Sequence, residues 1–112
     1  MEGWENILFN PISASHLAKI IEFMIDNDVV GLFNIGCTNA CNKYDFASAV
    51  CSNLNLDAEI VKSKLVNDLL RPYNTITDCT KFFGYADLGL TWQEDLARYM
   101  KDMPMYPVAL DQ

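Results

Sequence analysis

The residues best suited to chemistry fall in one string, Arg71-Pro72-Tyr73-Asn74. A guanidinium presents a planar fork of donors that matches phosphate oxygens, so Arg71 is a candidate contact for a phosphate-bearing ligand. The alternative is an ion pair with a nearby carboxylate such as Asp68. Asn74, in the same loop, has a donor and an acceptor suited to a sugar or a base, or it serves as a turn residue bonded to its own backbone. The four cysteines are Cys37, Cys41, Cys51 and Cys79. Cys37 and Cys41 are spaced C-x3-C, whereas zinc sites usually show two close ligand pairs, and the one histidine, His16, is remote in sequence. A metal site is not expected. An even number of cysteines raises a disulfide framework. Cys51 lies in a helical pattern, however, and the amino terminus MEGWENILFN lacks the basic and apolar regions of a secretory signal. Reduced thiols in a cytoplasmic protein are the expectation.

The elements that must position these residues follow from periodicity. Glu5 to Phe9 reads as a short strand, ended by Asn10-Pro11 because proline disfavours the helical region for the residue before it. Ser13 or Ser15 caps a helix on which Leu17, Ile20, Ile21 and Met24 share a face. Val29 to Ile35 is apolar enough for a strand buried on both sides, as in a parallel sheet. Asn42 is a candidate cap for a second helix, with Phe46, Val50 and Leu54 on one face. Glu59 to Val61 reads as a short strand, Val66 to Leu70 as a helical turn, and Thr75 to Thr77 as a strand. Asp78 is placed to cap a short helix through Lys81 and Phe83. Thr91 and Glu94 have capping-box spacing and start a final helix that turns Trp92, Leu96, Tyr99 and Met100 inward. Residues 1–103 read as one α/β domain, with 104–112 as a flexible tail.

Composition narrows the partners. With 15 acidic and 8 basic residues the net charge is −7, which argues against unassisted binding to nucleic acid or an anionic membrane. No apolar run approaches the roughly 18 residues that read as a membrane span. A small anionic ligand stays open, because one local arginine suffices for it.

The ordered strings then resemble a family. NPISASHLAKII resembles the late loop and "D-L-A" helix of extended short-chain dehydrogenases/reductases, and GLFNIG resembles their "G-x-[YF]-[NH]-[IVL]-G" strand. NKYDFASAV is similar to the "K-Y-[ED]-F-A" helix start of dTDP-4-dehydrorhamnose reductases. RPYNTITDCTKFFGY resembles "R-P-x-N-x-x-L-D-x-S-K-x-x-x-L-G", and TWQEDLARYM the closing "W-x-x-x-L-x-x-[YF]" helix. The matches run in family order from Asn10 to Met100. One departure is His16, which stands where the family often has an acidic residue before the Leu-Ala pair.

The resemblance implies an α/β chain that is the carboxy-terminal, substrate-binding portion of a Rossmann-type reductase or epimerase, without the cofactor-binding half. Such enzymes bind NAD(P)H on an amino-terminal dinucleotide fold. They reduce or epimerise a sugar attached to a nucleoside diphosphate, using a Ser/Thr, a Tyr acid and a Lys that lowers the tyrosine pKa. This sequence has no glycine-rich phosphate fingerprint, and no tyrosine is followed by lysine four residues on. The chain by itself is therefore expected to be inactive and to bind no NAD(P)H. The implied substrate contacts are Arg71 and Asn74, together with Asn10 and Pro11, where the family's chain passes near cofactor and substrate; helix entry is the other role for that pair. Asp78 and Lys81 match the family's Asp and Lys. The strand at Leu32 to Ile35 would join the larger dinucleotide-domain sheet. Alone it would expose an apolar edge, to be covered by the missing domain, by a full-length reductase or by a second copy in a homodimer. The alternative function is a non-enzymatic interaction or regulatory module on the same fold.

Overall fold

Of the expected strand from Glu5 to Phe9 only Leu8–Phe9 is one; Glu5 and Asn6 form a turn, where the Asn6 side chain bonds the Leu65 backbone, and a separate strand precedes it. In the computed structural model, which describes residues 1–66 and 72–102, β1 (Glu2–Trp4) and β2 (Leu8–Phe9) are followed by α1 (Ala14–Asp26), β3 (Cys41–Asn42), α2 (Lys43–Asn53), β4 (Val61–Ser63), α3 (Thr80–Phe83) and α4 (Trp92–Asp102). β1 pairs in parallel with β4, Glu2 opposite Val61 and Trp4 opposite Ser63. β2 pairs antiparallel with β3, Leu8 opposite Asn42 and Phe9 opposite Cys41. The fold is mixed α/β. The last strand starts two residues later than its composition suggests, at Val61, because its register is set by β1 and not by its own side chains.

The helices begin and end where local chemistry says they should. The Ser13 hydroxyl accepts from the His16 N–H at 3.1 Å, and the Asn42 side chain accepts from the Asp45 N–H at 2.7 Å. Thr91 and Glu94 bond reciprocally, Thr91 N–H to the Glu94 carboxylate at 3.2 Å and Glu94 N–H to the Thr91 hydroxyl at 3.1 Å. Both long early helices close with a residue in the left-handed region, Asp28 (φ 52°) and Asn55 (φ 53°). Val29 N–H reaches back to Met24 O and Leu56 N–H to Cys51 O, the crossed pattern that satisfies the last carbonyls of a helix. At α3 the entry differs from expectation. Cys79 is the cap residue, and Asp78 acts one position earlier by accepting from the Thr80 N–H and hydroxyl.

Val29 to Ile35 is not a strand. No strand among the described residues pairs with it, and Gly31 sits at φ 126°, a left-handed conformation that interrupts an extended run. The segment still alternates. Phe33 and Ile35 are half-buried, while Val30 and Leu32 are 83% and 87% exposed. Nor do residues 75–77 form a strand; the ladder there is a single parallel bridge between Leu8 and Asn74. The helical turn expected at Val66 to Leu70 and the tail from residue 104 fall almost wholly outside the described residues.

Two apolar groupings form the core. One joins Cys37, Cys41, Trp92 and Leu96, with Phe9, Phe46 and Val50 packed against them. The other centres on Phe82, fully buried, with Phe23 and Phe33 edge-on to its ring at 6.4 and 6.1 Å. Ile20 is the buried centre of the α1 face, and Ile21 lies at its exposed margin. β1 lies close against α2 at Gly3, where a Cβ would sit 2.9 Å from the Tyr44 Cα. Gly3→Ala is expected to lower unfolding stability by about 1–3 kcal/mol. Gly84→Ala, whose Cβ would find nothing nearer than 3.5 Å, is expected to stay within about 0.5 kcal/mol of the parent. Urea unfolding midpoints check both, and equal effects would refute the packing argument.

Candidate functional site

The amino-terminal strand and the stretch after residue 71 meet along one edge. Leu8 N–H donates to Tyr73 O at 2.7 Å, and Thr75 N–H donates to Leu8 O at 3.0 Å. Asn10, two residues on, continues this ladder with its side chain. Its Oδ1 accepts from Thr77 N–H at 3.0 Å and its Nδ2 donates to Thr77 O at 3.1 Å. The same Nδ2 faces Cys79 Sγ at 3.6 Å and Cys37 O at 3.5 Å. Gly36 makes room for this carboxamide, since a Cβ there would lie 2.7 Å from Asn10 Nδ2. Asn10, Thr38, Thr77, Asp78 and Thr80 help to line a small polar cleft of about 160 Å³ beside this contact.

The expected site residues are partly brought together. Asn10 and Asn74 lie on the two adjoining segments. The Asn74 side chain accepts from Ile76 N–H at 2.9 Å, the local turn bond open to it from sequence. Pro11 faces the other way and lines a separate apolar cavity of about 390 Å³ with Phe46, Trp92 and Tyr99. Arg71, together with its alternative partner Asp68, lies outside the described residues. Lys81 donates to Leu32 O at 2.9 Å and sits 4.6 Å above the Phe33 ring, so it anchors the exposed extended segment. The Thr80 backbone and hydroxyl hold the Asp78 carboxyl below the usual carboxylate range.

Asp95 is the functional group that sequence reading misses. It is 5% exposed. Its carboxylate accepts from Ser13 N–H at 2.6 Å, from the Ser13 hydroxyl at 2.7 Å and from Cys37 Sγ at 3.6 Å. α1 has no acidic residue in its own first turn, so α4 supplies the negative charge that a helix N-terminus favours. Asn39 is the second omission: its Oδ1 accepts from Trp92 N–H at 2.8 Å and caps α4 from a distant loop. Neither carries a local signal. Asp95 follows Glu94 in an ordinary acidic first turn, and Asn39 stands in a polar loop.

All four cysteines are free thiols. Burial, then the Asp95 charge, pushes the Cys37 thiol from 9.0 up to about 12; burial raises Cys41 to about 11. Both are protonated at neutral pH and weak as nucleophiles. Among the described residues no group of three or more His, Cys, Asp or Glu side chains is placed to hold a metal ion. The glycines serve internal packing: Gly3 against Tyr44, Gly36 against Asn10, Gly89 against Thr38 and Phe83. They form no phosphate cradle, so these residues do not fit a dinucleotide cofactor. Among the described residues no helix is long and apolar enough to cross a membrane.

No sequence family matches the chain, and no curated protein matches it. Solved structures do match its fold. A dTDP-4-dehydrorhamnose reductase from Clostridium acetobutylicum superposes with a TM-score of 0.81 at 21% identity, over 94% of this chain and 39% of that one. The reductase from Bacillus anthracis, solved in complex with NADP, gives 0.79 at 18% identity over 91% and 37%. That from Yersinia enterocolitica gives 0.73 at 21% identity over 90% and 37%. The chain thus has the fold of part of such a reductase and spans about two-fifths of those chains' length.

Two outcomes test this chemistry. Asp95→Ala removes both acceptors of the half-buried Ser13 and is expected to cost about 2–3 kcal/mol, against about 1 kcal/mol or less for Glu94→Ala; similar costs would dismiss Asp95 as the α1–α4 tie. Because the folded-state thiol pKa of Cys37 is raised, its contribution to stability is complete below pH 9.0 and is lost as pH climbs towards about 12, where the unfolded chain gives up the proton first. Between pH 8 and 10.5 the parent should lose more stability than Cys37→Ala. Parallel curves in urea unfolding would contradict this.

Proposed function

We propose that residues 1–103 are the carboxy-terminal, sugar-nucleotide-binding portion of a reductase or epimerase of the dTDP-4-dehydrorhamnose reductase type. The observation that carries the reading is the fold match over nearly the whole of this chain and only two-fifths of the reductase. The ordered strings from Asn10 to Met100 support it independently. Arg71 supplies the fork for the diphosphate and Asn74 a neighbouring polar contact, with Asn10 on the segment beside Asn74; Pro11, turned to the separate apolar cavity, contributes no contact on this side. Hydride delivery needs a dinucleotide-binding half and a Tyr-Lys pair that these residues do not contain. The portion binds and orients a nucleoside diphosphate sugar, and by itself it turns over nothing.

A second reading, an interaction module on the same fold, is favoured by one observation: Val30 and Leu32 are almost fully exposed on a segment that no strand among the described residues pairs with. Such an edge accepts a strand from a partner. An amide-resolved NMR titration with dTDP separates the two. Shifts confined to the region of residues 71–79 and about millimolar or tighter affinity are expected. No shift with dTDP, combined with capture of a full-length reductase or self-association abolished by Leu32→Glu, would replace the first reading by the second.

A further inference from the structure

Asn6 and Asn10 use their side chains in the same uncommon way. The Asn6 carboxamide donates to Leu65 O at 2.9 Å and accepts from Leu65 N–H at 2.9 Å. The Asn10 carboxamide does the same to Thr77, at 3.1 and 3.0 Å. A carboxamide has the donor and acceptor of a peptide group without the chain. Each asparagine therefore binds one residue as a neighbouring strand would, yet leaves that residue's chain free to turn away. Between them the Leu8 backbone holds Tyr73 and Thr75. Together Asn6, Leu8 and Asn10 hold Leu65 and the stretch from Tyr73 to Thr77 beside the amino-terminal segment.

We infer that Asn6 and Asn10 are paired positioning residues that fix Leu65 and the stretch from Tyr73 to Thr77 against the amino-terminal segment, with Gly36 kept free of a side chain to admit the Asn10 carboxamide. This rests on the sugar-nucleotide reading above, in which Asn74 of that stretch and Arg71, near it in sequence, are the ligand contacts. The residue type is specific. Aspartate keeps the acceptor for the N–H but sets a second acceptor against the carbonyl. Alanine loses both bonds. Thr77 and its neighbours from Pro72 are exposed, so losing a clamp loosens that stretch and leaves the core packing of Phe82 and Trp92 in place.

Amide hydrogen exchange and dTDP affinity, measured on the full chain, test the pair. Asn10→Ala is expected to speed exchange at Thr77, and Asn6→Ala at Leu65, by about tenfold or more, with the amides of Ile20 and Met24 in α1 unchanged. Affinity for dTDP should fall about tenfold in each, and Asn10→Asp should retain slow exchange at Thr77 with intermediate affinity. If Asn10→Ala does not fold, Gly36→Ala, which crowds the carboxamide without removing it, should give the same local acceleration. Weaker dTDP binding with exchange unchanged at Thr77 and Leu65 would make these residues ligand contacts and overturn the positioning role. Faster exchange with undiminished affinity would overturn it too. If the parent chain does not bind dTDP, the sugar-nucleotide reading fails, and exchange alone decides the clamp: unchanged protection at both amides refutes it.

Discussion

The structure depends on the pairing demands of one short segment, Asn6 to Asn10. A backbone polar group withdrawn from water must find a partner, and this segment provides partners in two directions. Towards the core it pairs with β3, and Ile7 O receives the N–H of Lys43 at the start of α2. Away from it, Leu8 and the two asparagine side chains take hold of Leu65, Tyr73, Thr75 and Thr77. One stretch thus fixes α2 on one side and the approach to α3 on the other. With strands of only two or three residues, sheet pairing alone supplies little order, and the carboxamides extend it where backbone ladders stop.

Asp95 plays the corresponding part between helices. A buried carboxylate is tolerated only when its lone pairs are satisfied, and here Ser13 and Cys37 satisfy them. The consequence is a fixed relation among the start of α1, the loop after Gly36 and the start of α4, elements far apart in sequence. Burial, reinforced by the same charge, keeps the Cys37 thiol protonated, so a tie that serves packing also suppresses reactivity. The apolar contacts around Trp92 and Phe82 then fill space whose outline these polar ties have drawn.

Legibility followed the range of the forces. Helix caps at Ser13, Asn42 and Thr91 were readable because donor and acceptor lie three residues apart. The inward face of α4 was readable because its period is built into the helix. Val29 to Ile35 misled, because an apolar extended run becomes a strand only when a second backbone lies alongside, and no strand among the described residues does. The cap at Cys79 instead of Asp78 shows the same limit at small scale, where one residue's shift leaves the Asp78 bonds local but moves the helix start.

The sequence by itself determined where the three longer helices start, which faces they bury and the order of the strings shared with part of a reductase. Those properties rest on atoms within about one helical turn and on composition. Only the tertiary structure decided that Asn6 and Asn10 meet Leu65 and Thr77, and that Asp95 bridges two helix ends. Those partners stand 59, 67 and 82 residues away, and no local pattern distinguishes a carboxamide or carboxylate with a distant partner from one that faces water.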